Sequence, residues 1–154
     1  MLSHEEIEEI TEALTHCERK QAAGVDALKV VQRHRGWVSD EALAEVADVL
    51  EMSPAELDSV ATFYSLIFRR KVGRHVILLC DSVSCWVMGY ESIFDILKRK
   101  LGIGFGETTQ DGRFTLLPHP CLGACERAPA MMVDNELYGP LDEGLIDKIL
   151  SACN

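Results

Sequence analysis

Four cysteines in two pairs constrain this chain more than any other feature. Cys80 and Cys85 form a C-x4-C pair, and Cys121 and Cys125 form a C-x3-C pair far downstream. Each pair follows an apolar run. His75 to Cys80 (HVILLC) is short and rich in branched residues, so it reads as a buried strand rather than a helix. Phe114 to Leu117 reads as a second strand. Between them, Tyr90 to Leu101 carries Ile93, Phe94, Ile96 and Leu97 at helical spacing. Two strands joined by a helical crossover are expected to be parallel and right-handed, and therefore to end on the same edge of a sheet. The loops after them are then neighbours, and four cysteines distant in sequence meet.

The rest of the chain frames that site. Ser3 with Glu6 reads as a capping box, followed by Ile7, Ile10 and Leu14 on one helical face; Gly24 is expected to end or follow that helix. Val25 to Arg35 is a second predicted helix, stopped by Gly36. A third begins near Ser39 or Asp40 and carries Leu43, Val46, Ala47 and Leu50. A fourth opens at Ser53-Pro54-Ala55-Glu56, with proline where its missing N–H costs nothing, and its face runs through Leu57, Val60, Ala61, Tyr64 and Phe68. The basic stretch Arg69, Arg70, Lys71 and Arg74, around Gly73, marks the expected boundary. The predicted organisation is a helical bundle over 1–70 and a strand-containing α/β domain over 71–154. Met131 to Asp134 and Leu137 to Tyr138 read as a hairpin turning at Asp134-Asn135, and Asp142 to Leu150 as a closing helix.

Composition narrows the function. Twenty-five acidic residues against 15 basic give a net charge of −10, which argues against a nucleic-acid binder, whose phosphate contacts need clustered Lys and Arg. No apolar run reaches the roughly 18 residues of a membrane span, so no direct membrane insertion is expected. The acidic, amphipathic N-terminus resembles neither a secretory signal nor a transit peptide. The expectation is a soluble intracellular protein. In such a compartment thiols stay reduced, and six cysteines read as metal or redox chemistry rather than structural disulfides.

Four thiolates can hold a [2Fe–2S] cluster, a [4Fe–4S] cluster or a zinc ion. The tight C-x2-C knuckles of zinc ribbons are absent, as are the two-residue spacings of [4Fe–4S] ferredoxins and the C-x-x-C of dithiol enzymes. Wider loops favour a dinuclear core with one cysteine pair on each side; zinc or no metal remains open on spacing alone. Between Cys121 and Cys125, the small residues Gly123 and Ala124 allow backbone N–H groups to approach cluster sulfurs and tune their potential. In a chain already at −10, adding an electron to an anionic cluster is disfavoured, so a low potential is expected.

The segments Ala61-Thr62-Phe63-Tyr64-Ser65, Gly73-Arg74-His75-Val76-Ile77, Cys80-Asp81-Ser82-Val83-Ser84-Cys85, Gly112-Arg113-Phe114 and Cys121-Leu122-Gly123-Ala124-Cys125 carry a resemblance. Together they are similar to the E-subunit family of bacterial NADH:quinone oxidoreductases (respiratory complex I), from the region of Ala27 to the C-terminus. The resemblance implies an α+β chain: an N-terminal helical bundle followed by a thioredoxin-like domain with a mixed four-stranded sheet. It implies one [2Fe–2S] cluster on Cys80, Cys85, Cys121 and Cys125, passing single electrons. FMN and NADH are implied on a partner, the flavin- and NADH-binding F subunit, with further peripheral-arm subunits beyond it. The isolated chain then has no catalytic residue or substrate site of its own, and sits peripherally on the cytoplasmic side of the inner membrane. The module is also similar to subunits of NAD-linked hydrogenases and formate dehydrogenases. A zinc-stabilised interaction module and a thiol-redox enzyme are the alternatives from other classes.

Other residues have plainer readings. Cys17 and Cys153 read as ordinary partly buried thiols, His119 as a loop histidine, and His75 as structural. Gly102-Ile103-Gly104-Phe105-Gly106 imitates a nucleotide fingerprint but follows a helix and precedes none, so it reads as a loop. Met131 and Met132 read as core filling. Trp86 reads either as a cover for the cluster or a partner surface, or as simple packing. The Arg69–Arg74 stretch reads as a solvated linker, with docking on the flavin-bearing partner as the alternative. Pro129 is a candidate for the cis proline typical of thioredoxin-like folds.

Overall fold

Serine side chains start three of the first four helices. A computed structural model describes residues 1–153, in which α1 (His4–Thr15), α2 (Gly24–Arg35), α3 (Asp40–Leu50) and α4 (Pro54–Phe63) build one unit, Met1–Lys71. Ser3, Ser39 and Ser53 accept hydrogen bonds from the N–H groups of Glu6, Ala42 and Glu56, and the capping boxes at Ser3 and Ser53 are complete. Gly36, at φ 80°, closes α2 in the left-handed region that favours glycine. Ile10, Leu28, Val31, Val46, Leu50 and Leu57 are fully buried between the helices, each stabilising the bundle by about 1.5–3 kcal/mol.

Four expectations are corrected here. Helix α1 ends at Thr15, and Gly24 opens α2 after a short 3-10 turn at Lys20–Ala23. Ile7 is 42% exposed, whereas Glu6 is only 1% exposed and takes the inward position. The charge is tolerated because Arg35 donates to the Glu6 carboxylate from both Nε and Nη2 at 2.6 Å, and the Ser3 N–H adds a third bond at 2.7 Å. Hydrogen bonding by Arg35 outweighs burial and holds the Glu6 carboxyl at about 2, with Ser3 assisting. Helix α4 stops at Phe63, so Tyr64 and Phe68 leave its face. The chain then returns: the Gln32 amide donates to the Leu66 carbonyl and accepts the Phe68 N–H, at 2.8 and 2.6 Å. Finally, Arg69 is no solvated linker residue. Its guanidinium binds Asp40 at 2.6 Å, Asp58 at 2.8 Å, and the Val38 carbonyl, a set that the planar fork of arginine can satisfy at once.

The second unit begins at Val72. Its elements are β1 (His75–Cys80), α5 (Val83–Val87), α6 (Tyr90–Leu101), β2 (Phe114–His119), β3 (Met131–Val133), β4 (Glu136–Tyr138) and α7 (Glu143–Ala152). The four-stranded sheet has the order β2-β1-β3-β4; β1 and β2 are parallel and the other pairs antiparallel. The architecture is therefore α+β with a mixed sheet. Ile77, Leu79, Leu116, Met131 and Val133 form one core with Ile93 and Leu97 of α6 and Ile146 and Ile149 of α7. Alternation along β1 sends Val76, Leu78 and Cys80 to the opposite face. At Gly73 a Cβ would lie 2.9 Å from the Arg113 carbonyl oxygen, so only glycine lets the chain pass the start of β2. Strand β2 is longer than expected and includes His119, which pairs with Cys80. The hairpin turns at Asp134, φ 55°, whose carboxylate takes the Val76 N–H at 3.0 Å and lies 2.8 Å from His75 Nδ1. Among the described residues no helix is long and apolar enough to cross a membrane.

Candidate metal centre

Parallel pairing of β1 and β2 ends both strands together, with Cys80 beside His119. The chain leaving β1 is held there, because the Asp81 N–H donates to the His119 carbonyl at 3.0 Å. It then forms α5, which carries Cys85 and is buried only at that residue. The hydrophobic pattern does not announce this short helix; Ser82 ahead of it, in extended N-cap conformation, is the available signal. The Ser82 hydroxyl does not cap the helix. It lies 3.4 Å from Cys80 Sγ.

Cys80 and Cys85 are each 2% exposed and lie close enough to influence one another's titration. They pack with Ala124, Ala128 and Ala130, and with Leu122 and Leu137 at the margin. Burial would push the Cys80 thiol up, but hydrogen bonds from Ser82, the Leu122 N–H and Cys85 bring it below the ordinary thiol value. Burial pushes the Cys85 thiol up, and Cys80 beside it adds to that, against the Ala130 N–H. The N–H groups of Leu122 and Ala130, both in the β2–β3 connection, thus favour the thiolate form of the buried sulfurs. Side-chain size along the sequence points to Gly123 and Ala124 for this role and misses Leu122 and Ala130. Gly123, at φ 69°, donates its N–H to Cys121 Sγ at 3.4 Å, while Ala124 contributes its side chain to the apolar cluster.

Cys121 and Cys125 lie on the facing loop and are exposed; Cys125 opens a 3-10 turn, Cys125–Arg127. All four cysteines are free thiols. The buried pair is closely joined, but among the described residues no three metal-ligating side chains are gathered about one point. The donor set is nevertheless of one kind. Four thiols, with the Gly123 N–H turned on one of them, suit iron–sulfur or zinc chemistry and no hard, oxygen-seeking cation. Beyond the 3-10 turn, the Ala128–Pro129 peptide is cis, as is Gly139–Pro140. Gly139 lies so near this loop that a Cβ on it would collide with the Arg127 carbonyl.

The outer face of α5 is apolar and open. Val83, Trp86, Val87 and Met88 are all more than half exposed, with Trp86 at 58%, so simple core packing does not account for Trp86.

Comparison with known proteins shows the family to which the chain belongs. Residues 8–154 match the model of the thioredoxin-like [2Fe–2S] ferredoxin family. The E subunit of the NADH-quinone oxidoreductase of Pseudomonas aeruginosa is 46% identical over 152 residues, covering 99% of this chain and 92% of the relative. Its counterpart in Escherichia coli K12, also an NADH-quinone oxidoreductase E subunit, is 49% identical over 149 residues, covering 97% and 90%. The crystal structure of an NAD+-reducing [NiFe]-hydrogenase in the air-oxidised state superposes with a TM-score of 0.73 at 25% identity; the match covers 85% of this chain but only 22% of the hydrogenase chain.

Proposed function

The chain belongs to the thioredoxin-like [2Fe–2S] ferredoxin family, and from that membership we propose that it is the electron-transfer E subunit of an NADH:quinone oxidoreductase, with one [2Fe–2S] cluster on Cys80, Cys85, Cys121 and Cys125. The observation that carries this reading is that the two loops bearing the cysteines leave parallel strands side by side, joined by the Asp81 N–H on the His119 carbonyl, and pack Cys80 and Cys85 against Leu122 and Ala124. Cys80 and Cys85 would hold one iron, and Cys121 and Cys125 the other. When bound, such a cluster supplies a one-electron store beside a flavin that receives electrons in pairs.

This chain's residues do the rest. Leu122, Gly123 and Ala130 present N–H groups to the cysteine sulfurs, and the alanines around Cys80 and Cys85 exclude water. The apolar strip Val83, Trp86, Val87 and Met88, on the helix that carries Cys85 and its C-cap, suits docking against the flavin- and NADH-bearing F subunit. FMN and NADH belong to that partner, and this chain has no substrate site of its own. Assembly with it and further peripheral-arm subunits places the chain on the cytoplasmic side of the membrane. The helical bundle, 1–70, is the gripping module and 71–154 the cluster domain.

A diaphorase subunit of an NAD-linked hydrogenase is the second reading, favoured by the superposition on the hydrogenase chain. Relatives at 46–49% identity over nearly the whole length favour the first. The test is purification of the chain with its native partners. Co-purification of a flavoprotein and quinone-reducing subunits, with a cluster signal developing on NADH addition, supports the reading. Recovery with a nickel-containing protein moves the chain to the hydrogenase class, and no NADH-dependent signal in a loaded complex overturns the electron-transfer role.

A further inference from the structure

His119 ends β2 in register with Cys80. Paired residues of a parallel ladder put their side chains on the same face, so the imidazole leaves the sheet on the face that carries the Cys80 sulfur. Two residues later the chain reaches Cys121. The strand end is held by the Asp81 N–H on the His119 carbonyl, at 3.0 Å. The imidazole Nδ1 is nonetheless buried with no hydrogen-bond partner among the described residues. A buried polar atom is rarely left unpaired in a native fold, and each one calls for an explanation.

Resting on the cluster reading above, we propose that His119 Nδ1–H donates a hydrogen bond to a sulfur of the ligated cluster, raising its reduction potential. The acceptors that reach this face on loading are thiolate and sulfide sulfurs, which carry negative charge. A donor on such sulfurs favours the reduced, more negative state. His119 is thus a tuning residue and not a ligand, since the four cysteines fill the iron sites.

The test uses the full chain, loaded with cluster, as wild type, His119→Leu and His119→Asn; asparagine keeps an N–H close to the position of Nδ1. Iron and sulfide are measured first, so that a wild-type chain without cluster disposes of the underlying reading separately. In loaded protein the expected result is a weak histidine-nitrogen coupling in pulsed EPR of the reduced wild type. His119→Leu loses it and is reduced with an equilibrium constant lower by about three- to tenfold, and His119→Asn recovers most of the potential. Unchanged potential and coupling in His119→Leu overturn the proposal, as does a coupling of the strength expected for an iron-bound nitrogen. If His119→Leu fails to load, the wild-type coupling and the His119→Asn potential decide the matter.

Discussion

The Cys80 backbone N–H donates to the Ala130 carbonyl at 3.1 Å, and Cys85 packs with Ala130 in the same buried cluster. One residue therefore supports both buried cysteines, just after the cis Ala128–Pro129 bond. In the exposed pair, Cys121 Sγ takes the Gly123 N–H and the Cys125 carbonyl takes the Ala128 N–H, but neither side chain is buried. This asymmetry separates what each cysteine does for the fold from what it does for the metal.

Alanine at any of Cys80, Cys85, Cys121 and Cys125 is expected to abolish or badly destabilise cluster binding, read as iron content and visible absorption. The cluster-free variants should differ. Cys80→Ala and Cys85→Ala remove buried sulfur and should cost about 1–2 kcal/mol in urea unfolding. Cys121→Ala and Cys125→Ala should fall within about 0.5 kcal/mol of the parent. Full iron in any one variant removes that residue from the ligand set.

Gly139→Ala tests the support of the second loop. The added methyl group would overlap the Arg127 carbonyl, in the turn that begins at Cys125. The expected outcome is a loss of about 1–3 kcal/mol together with faster iron loss to a chelator. Unchanged stability and unchanged retention would show that the turn yields freely.

Acid sensitivity of the bundle follows from Glu6. Its folded value, about 2, lies below the ordinary 4.5, so the stabilisation is full above about pH 4.5 and is lost as the pH falls towards 2. The Glu6→Gln variant should be less stable than wild type by about 2–3 kcal/mol at neutral pH. That gap should close on acidification to about pH 2, followed by helix circular dichroism in urea. A gap independent of pH contradicts the ionised pair.

Net charge bears on the potential. With a net charge of −10, the midpoint should lie in the low range of plant-type ferredoxins, about −400 mV, and rise with salt as the surface field is screened. A midpoint far above that range would show that local N–H donors dominate over the surface charge.

Much of this molecule is legible in its sequence, and the exceptions share a cause. Strand β1 and helix α6 have the predicted bounds because β1 is an unbroken short apolar run and α6 carries an unbroken helical period with a glycine stop at Gly102. The parallel pairing of β1 and β2 follows from the crossover alone. Helix α5 is not legible, because five residues are too few for a period to show. The inward turn of Glu6 is hidden since its partner, Arg35, lies on another helix, and an acid near a helix start reads first as a cap. Arg69 is hidden in the same way by Asp40 and Asp58. At the site, the cysteines identify the loops, but the N–H groups of Leu122 and Ala130 belong to the backbone, which side-chain chemistry does not announce.

The most direct test is the iron, sulfide and zinc content of anaerobically purified protein, with visible absorption and EPR before and after dithionite. The expected result is two irons and two sulfides per chain, a brown colour that bleaches on reduction, and a rhombic or axial signal in the reduced state. One zinc per chain with no colour and no signal, persisting after reconstitution with iron and sulfide, would contradict it and leave a structural binding module in place of an electron carrier.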